Sequence, residues 1–523
     1  MRGTKWKKMI LSTAFLLSTL LLQACSTQTQ SSKPAVPSSA KGKDGGTLTV
    51  VRLSDATKLD PHFITDIPSA NIVYQKVYET LVVPDENMKP HPKLATKWTQ
   101  LNETTWEFEL RQGVAFQDGT PFDAEAVQTT FKRLLDPQTR SPQASKLAMI
   151  KDIAVVDRYT VQFHLNEPYT PLLSILASNE GSIISPKVLK ENPKQLMDHP
   201  VGTGPFMFEH WKTGQEIALK KNGNYWGAKP AIDRVVFKVV PEDTTRLAMV
   251  EAGEAHINDQ VPVSEIDRIE ASKALSLYRT EGLGVEFIGF NTQKAPLDNV
   301  KVRKAISHAI QRDGMMKGVY NNSGRLANAA MSPKVFGYSE EIKPLGYNLN
   351  QAKQLLKEAG FTSGLELTIV TNDRKERIAL AEVVQSQLKG IGVNAKVQVL
   401  EWGAYIDTLN NGKHQMYIGG WGNATGDGDY NQYNLFHSSS HGGAGNHMYY
   451  KNEKVDTLIE AARKEMTEGK RKSLYQEAMK IELEEAVYIP IRYYEHLAVH
   501  NKHVEGIWIN PVNYLMLDEV TLK

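Results

Sequence analysis

Between Asn348 and Ile418 the hydrophobic period changes from one element to the next. A helical run through Leu355 and Leu356 stops at Gly360, Leu365–Val370 reads as a strand, and Lys375–Lys389 returns to helical spacing. Gly390-Ile391-Gly392 then turns the chain into a second strand, Val393–Leu400. A strand, a helix and a strand in succession make a β-α-β unit, whose strands pair in parallel across a crossover. That pattern places this part of the chain in the α/β class. A chain of 523 residues is too long for one compact core, so two or three domains are expected.

Composition narrows the function. Lys and Arg number 61 against 59 Asp and Glu, and Arg2, Lys5, Lys7 and Lys8 fall in the first eight residues. The remainder carries no positive field to attract nucleic acid. Cys25 is the one cysteine, which excludes an internal disulfide, a cysteine-based metal site and a nucleophilic thiol within the fold.

Residues 1–25 read as a secretory signal. A basic start precedes an apolar run from Met9 to Leu22, 14 residues long, short of the roughly 20 that span a bilayer. Leu22-Gln23-Ala24-Cys25 resembles a bacterial lipobox, which implies a lipid on Cys25 and an extracytoplasmic, membrane-anchored protein. Residues 26–43, rich in Ser, Thr, Gln and Pro, are expected to form a disordered tether.

Past the tether, Gly46–Leu53 is strand-like, and a small, polar loop from Thr65 to Ser69 precedes a helix through Ile72, Val73, Val77 and Leu81. Thr105–Leu110 alternates as a half-buried strand does, Arg111-Gln112-Gly113 turns, and Val114-Ala115-Phe116 reads as a second short strand. Asp123 is placed to cap a helix whose apolar face is Val127, Phe131, Leu134 and Leu135. Further helices are expected near Val455–Glu465 and Lys470–Glu484, ahead of a strand at Val487–Tyr493.

LATKW (94–98), WEFELRQGVAFQDGTPFDAEAV (106–127) and VGTGPFMF (201–208) resemble the peptide/nickel class of extracytoplasmic solute-binding proteins. So do NGNYWGAKP (222–230) and the segments FNTQKAPLDN and VRKAISHAIQRD between 290 and 313. The resemblance runs from about residue 44 to the end. It implies an α/β, three-domain, two-lobed periplasmic-binding-protein-like fold with a discontinuous first lobe. Its segments are then residues 44–80, 201–290 and 495–523 for the first lobe, 81–200 for an inserted second domain, and 291–494 for the second lobe. It also implies a monomer that closes on a small ligand and delivers it to ABC permease subunits, with no cofactor and no catalysis.

The ligand should meet the stretch Gln415–Phe436. Met416-Tyr417-Ile418 is a short strand expected to break at Gly419-Gly420, delivering Trp421 and a polar, flexible loop with Asp427 and Asp429. Ligands of α/β folds bind at the carboxyl ends of such strands. In dipeptide-binding relatives, Trp is followed three residues later by an Asp that holds the ligand's ammonium; here that position is Ala424. WGNATGDGDY looks more like the glutathione-binding branch, with Asp427 and Asp429 reaching the ammonium of a γ-glutamyl arm. Both could equally cap a turn. Contact candidates are therefore Trp421, Asn423, Thr425, Asp427, Asp429 and Tyr430, with Thr65, Asp66 and Asn291 from elsewhere. Arg325 and Arg374, and after them Arg377, are candidates for the ligand's carboxylates.

No G-x-S-x-G, H-E-x-x-H or Walker sequence is present. His437, His441 and His447 lie close in sequence, but their spacing fits no helical ligand pair, and solvated loop histidines are expected rather than a metal site. The reading is a lipid-anchored receptor for glutathione or a di- or oligopeptide. A nickel-chelate or haem receptor on the same fold and a surface peptidase stay as alternatives.

Overall fold

The computed structural model describes residues 45–362 and 364–523; the leader, Cys25 and the tether lie outside that range. An eleven-stranded mixed sheet runs through both lobes. At one edge lie Val393–Leu400, Leu365–Asn372 and Met416–Trp421, parallel to one another as the β-α-β spacing requires. Lys375–Lys389 is the crossover helix and buries Leu380, Ala381, Val384 and Leu388. At the other edge Thr47–Arg52 pairs in parallel with Arg234–Val239, followed by the antiparallel strands Glu216–Lys221 and Phe206–Lys212.

Two long antiparallel strands, Leu275–Phe290 and Tyr488–Asn501, join these halves. Their ladder is interrupted between Glu281 and Val285. Successive residues point to opposite faces, so Ile288, Ile369 and Ile418 enter one core of the C-terminal lobe while Phe287, Val370 and Tyr417 enter the other. The N-terminal lobe packs around Leu48, Ile72, Phe237 and Leu515, which gathers chain from both ends.

A separate four-stranded antiparallel sheet holds Thr105–Leu110 between Ala95–Asn102 and Thr160–Leu165, with Ile150–Asp157 at its edge. Helix Ala124–Leu135, capped by Asp123, buries Val127, Phe131 and Leu134 in its core. Among the described residues no helix is long and apolar enough to cross a membrane.

Four local expectations change. Val114–Phe116 contributes a single bridge, Ala115 to Pro121, because the segment turns back within a few residues. The helix after Thr65 spans Ile67–Val73 and ends before Val77, since Gln75 takes a positive φ of 54°. The Met416 strand does not break at Gly419-Gly420 but continues to Trp421. The stretch beyond it is not a flexible loop: Gly428–Phe436 is a helix whose first turns are buried.

Candidate functional site

The Trp421 strand ends in a tightly hydrogen-bonded turn. Asn423 Oδ1 accepts from the N–H of Thr425 (2.8 Å) and of Gly426 (2.6 Å), while its Nδ2 donates to the Asp427 carbonyl (2.7 Å) and to Asn431 Oδ1 (2.6 Å). Thr425 Oγ1 accepts from the Asp427 N–H at 3.2 Å. Asp427 caps the helix by accepting from the Asp429 N–H at 2.8 Å. Its two oxygens also meet the Arg471 guanidinium, at 2.6 and 2.7 Å, with both side chains buried. Asn423, Thr425 and Asp427 therefore build the ledge on which the next residues stand.

Those next residues face a cavity of about 570 Å³. Trp421, Asp429, Tyr430, Tyr433 and Arg463 form the wall from the C-terminal lobe. Lys146, Met149, Tyr169 and Ile175, from the part of the chain that carries the four-stranded sheet, complete the lining. The volume and the mixture of aromatic faces with a few polar groups suit a small organic ligand.

The walls meet through charge. Tyr169 donates its hydroxyl to Asp429 Oδ2 at 2.9 Å. Arg463 Nε lies 3.0 Å from Asp429 Oδ1, and the guanidinium lies 3.9 Å from the Tyr433 ring centre. Burial pushes the Asp429 carboxyl above its ordinary range, against the pull of Arg463. Lys146 pairs with Glu180, which also accepts from Ser178 Oγ at 2.7 Å. The Lys146 ammonium stands 5.9 Å from the centre of the Tyr430 ring.

Of the residues singled out in the sequence, the structure brings Trp421, Asp429 and Tyr430 together on this cavity. Thr65 is exposed, and Asp66 caps helix Ile67–Val73, accepting from the Ser69 N–H and the Thr57 hydroxyl at 2.7 Å each. Asn291 is buried and donates to the carbonyls of Gly412 (3.3 Å) and His414 (3.2 Å). Arg325 lies over the Tyr338 and Tyr493 rings, 3.7 Å from Glu281. Arg374 starts helix Lys375–Lys389 and lines a separate crevice of about 370 Å³ with Asp259 and Arg492. Arg377 is buried against Glu286, 3.0 Å away, which Arg492 meets from the other side at 3.1 Å. Burial raises the Glu286 carboxyl, but Arg492 and Arg377 outweigh it and hold the group below its usual range.

Of the three histidines His437 is buried, while His441 and His447 are half-buried. His437 is buried between Ser439 and Glu460, at 2.7 and 3.1 Å; His441 meets the Tyr450 carbonyl and His447 the Asn410 side chain. Loop atoms take up their ring nitrogens separately. Among the described residues no group of three or more His, Cys, Asp or Glu side chains is placed to hold a metal ion.

Lys146, Tyr169, Arg463 and Arg471 were not anticipated. The first two lie far from the Trp421 stretch in sequence, and Tyr169 meets Asp429 across 260 residues. No local pattern marks such a pair.

Known proteins are similar in sequence and in fold. Glutathione-binding protein GsiB of Salmonella paratyphi A is 31% identical over 480 residues, covering 90% of this chain and 93% of its own. The periplasmic binding protein DppA of Helicobacter pylori, solved in complex with the peptide STSA, is 31% identical with a TM-score of 0.79, covering 92% of this chain and 98% of that one. HbpA2 of Haemophilus parasuis is 30% identical with a TM-score of 0.82, covering 91% and 100%. NikZ of Campylobacter jejuni, solved with Ni(L-His), shares the fold at 23% identity and a TM-score of 0.78, covering 90% and 97%. Residues 89–443 match the family described as bacterial extracellular solute-binding proteins, family 5, middle. With a two-lobed α/β fold and a match over more than half its length, the chain belongs to the family 5 bacterial extracellular solute-binding proteins.

Proposed function

We propose that this protein is a receptor, not an enzyme, that captures glutathione or a short peptide between its lobes and passes it to an ABC permease. A lipid on Cys25 would hold it at the outer face of the cell membrane, with residues 26–43 as tether. The observation that carries the reading is the cavity beside Trp421. Its lining joins two distant parts of the chain, which meet through Tyr169 and Asp429. A ligand held between two such walls favours the closed state by its differential affinity, with no bond made or broken. The printed names of the GsiB relatives and the STSA-bound DppA structure support glutathione or a peptide as that ligand.

Thermal unfolding with glutathione, di-, tri- and pentapeptides, haem and nickel tests this. A ligand specific for the folded state at a hundredfold excess over its Kd should add about 2.7 kcal/mol. Glutathione is expected to give the largest shift. A shift with nickel or haem and none with any peptide would overturn the reading. For the anchor, Cys25→Ala is expected to release the protein from membranes; retention with residue 25 unmodified would overturn that part.

A further inference from the structure

Two contacts outside the cavity tie the part of the chain that carries the four-stranded sheet to the C-terminal lobe. The first is a strap. The Thr170 N–H donates to the Arg463 carbonyl and its hydroxyl to the Glu465 carbonyl, at 2.9 Å each. Beside it Lys464 meets Glu167 at 2.7 Å, with both side chains exposed. The turn between helices Glu453–Lys464 and Glu468–Glu484 thus holds Thr170 by main-chain carbonyls.

The second is a knob. The turn between the short strands Val82–Pro84 and Pro90–Pro92 carries Met88, buried and at a φ of 63°. Its side chain joins the core of the C-terminal lobe, not the core beneath the four-stranded sheet. It sits over Gly426, where a Cβ would stand 2.5 Å from the Met88 Cβ, so only a glycine leaves the seat open. Next to it Lys334 Nζ donates to the Glu86 carbonyl at 2.9 Å. Among the described residues, Met88 alone of residues 81–200 joins that core. The joint is therefore narrow, as between parts that move against each other.

We infer that strap and knob form a clasp that sets how often the lobes are closed, and through that the affinity for every ligand of the cavity. Met88, Glu167, Thr170, Lys334 and Lys464 stand outside the cavity lining, so they act through closure and not by touching the ligand. Opening returns the Met88 side chain to water and breaks the Thr170 bonds, while Leu275–Phe290 and Tyr488–Asn501 stay paired. The apparent Kd equals the Kd of the closed form divided by the closed fraction. A weaker clasp therefore raises every Kd by one factor, whereas a residue that touches the ligand changes each by its own amount.

The inference rests on the receptor reading and deepens it. Its test is small-angle X-ray scattering and calorimetry on two variants of the protein. Met88→Asn removes the knob with a residue that tolerates positive φ; Glu167→Lys sets two cations against each other at the strap. Each is expected to enlarge the radius of gyration without ligand, and saturating glutathione to restore the wild-type value. Glutathione and trialanine should weaken by the same factor, about fivefold to tenfold for Met88→Asn and about twofold to threefold for Glu167→Lys. Adding Lys464→Glu to Glu167→Lys should recover the wild-type Kd within about twofold. Melting temperatures should fall by less than about 3 °C. An unchanged radius of gyration in Met88→Asn, or a loss of affinity confined to one of the two ligands, overturns the clasp. So does a fall in melting temperature beyond about 6 °C without expansion, which would make Met88 part of one continuous core. If neither ligand binds the wild-type protein, the receptor reading fails, and the scattering alone decides the clasp.

Discussion

The turn beneath Asp427 and the interior around Lys76 both bury charge, in different lobes, and treat it oppositely. Asp427 and Arg471 meet through two hydrogen bonds, and neither is exposed to solvent. Lys76 is equally buried, but its Nζ has no hydrogen-bond partner; Asp518, Arg52 and Asp259 act on it only as charges nearby. Burial, against the pull of Asp518, brings its ammonium down to about 7. The first arrangement fixes a conformation, and the second weakens the fold wherever the lysine is charged. Asp429 falls between: one oxygen is bonded to Tyr169, and the other is buried 3.0 Å from Arg463 without a hydrogen bond.

The sharpest way to break the comparison is to cut the clamp. Arg471→Met leaves a buried carboxylate alone and is expected to cost about 3–5 kcal/mol in urea unfolding. A loss below about 1 kcal/mol would mean that the pair contributes little.

Lys76→Met should act in the other direction. The folded-state pKa of Lys76 lies below its unfolded value of 10.5, so between about 7 and 10.5 the unfolded chain binds a proton that the folded one does not. Stability therefore rises with pH through that window, and the destabilisation is complete below it. The variant is expected to be more stable by about 2–4 kcal/mol at pH 6, with the advantage fading as the pH approaches 10.5. An advantage that does not change with pH would assign the gain to packing instead.

Asp429→Asn sharpens the intermediate case. It should lower glutathione affinity about tenfold or more, yet change stability by less than about 1.5 kcal/mol, because the bond from Tyr169 can persist. Equal losses in both would make Asp429 scaffolding like Asp427. The smallest effect belongs to Trp421→Phe, which removes one N–H donor. Affinity should fall by about 1 kcal/mol while stability moves by about 0.5 kcal/mol or less.

The sequence made the β-α-β unit readable because its information is local: the periods of 365–370, 375–389 and 393–400 are visible without knowing what packs on them. The end of the Trp421 strand was misread for the opposite reason. Glycines at 419 and 420 signal a break, but here they admit neighbours. A Cβ at 419 would stand 2.4 Å from the Tyr417 ring and one at 420 would stand 1.9 Å from the Tyr494 hydroxyl. The helix at Gly428 was hidden by its own turn-forming residues. Its cap is held by Arg471, which lies 44 residues onward. Trp421, Asp429 and Tyr430 could be nominated because they fall within one short stretch, a strand end and the start of the next helix. Lys146 and Tyr169 could not, because only the folded chain brings their distant segment alongside.

The crossing strands have a mechanical consequence. Leu275–Phe290 and Tyr488–Asn501 carry one hydrogen-bonded ribbon from lobe to lobe. Such a ribbon resists stretching but yields readily to torsion, so the lobes can turn about it without unzipping. The ladder slips between Glu281 and Val285, and such irregularities locally raise the twist of a strand pair. Within that slip a Cβ at Gly284 would stand 2.1 Å from the Tyr494 ring. The slip is therefore packed against an aromatic ring, and a single methyl group at Gly284 would force that ring to move.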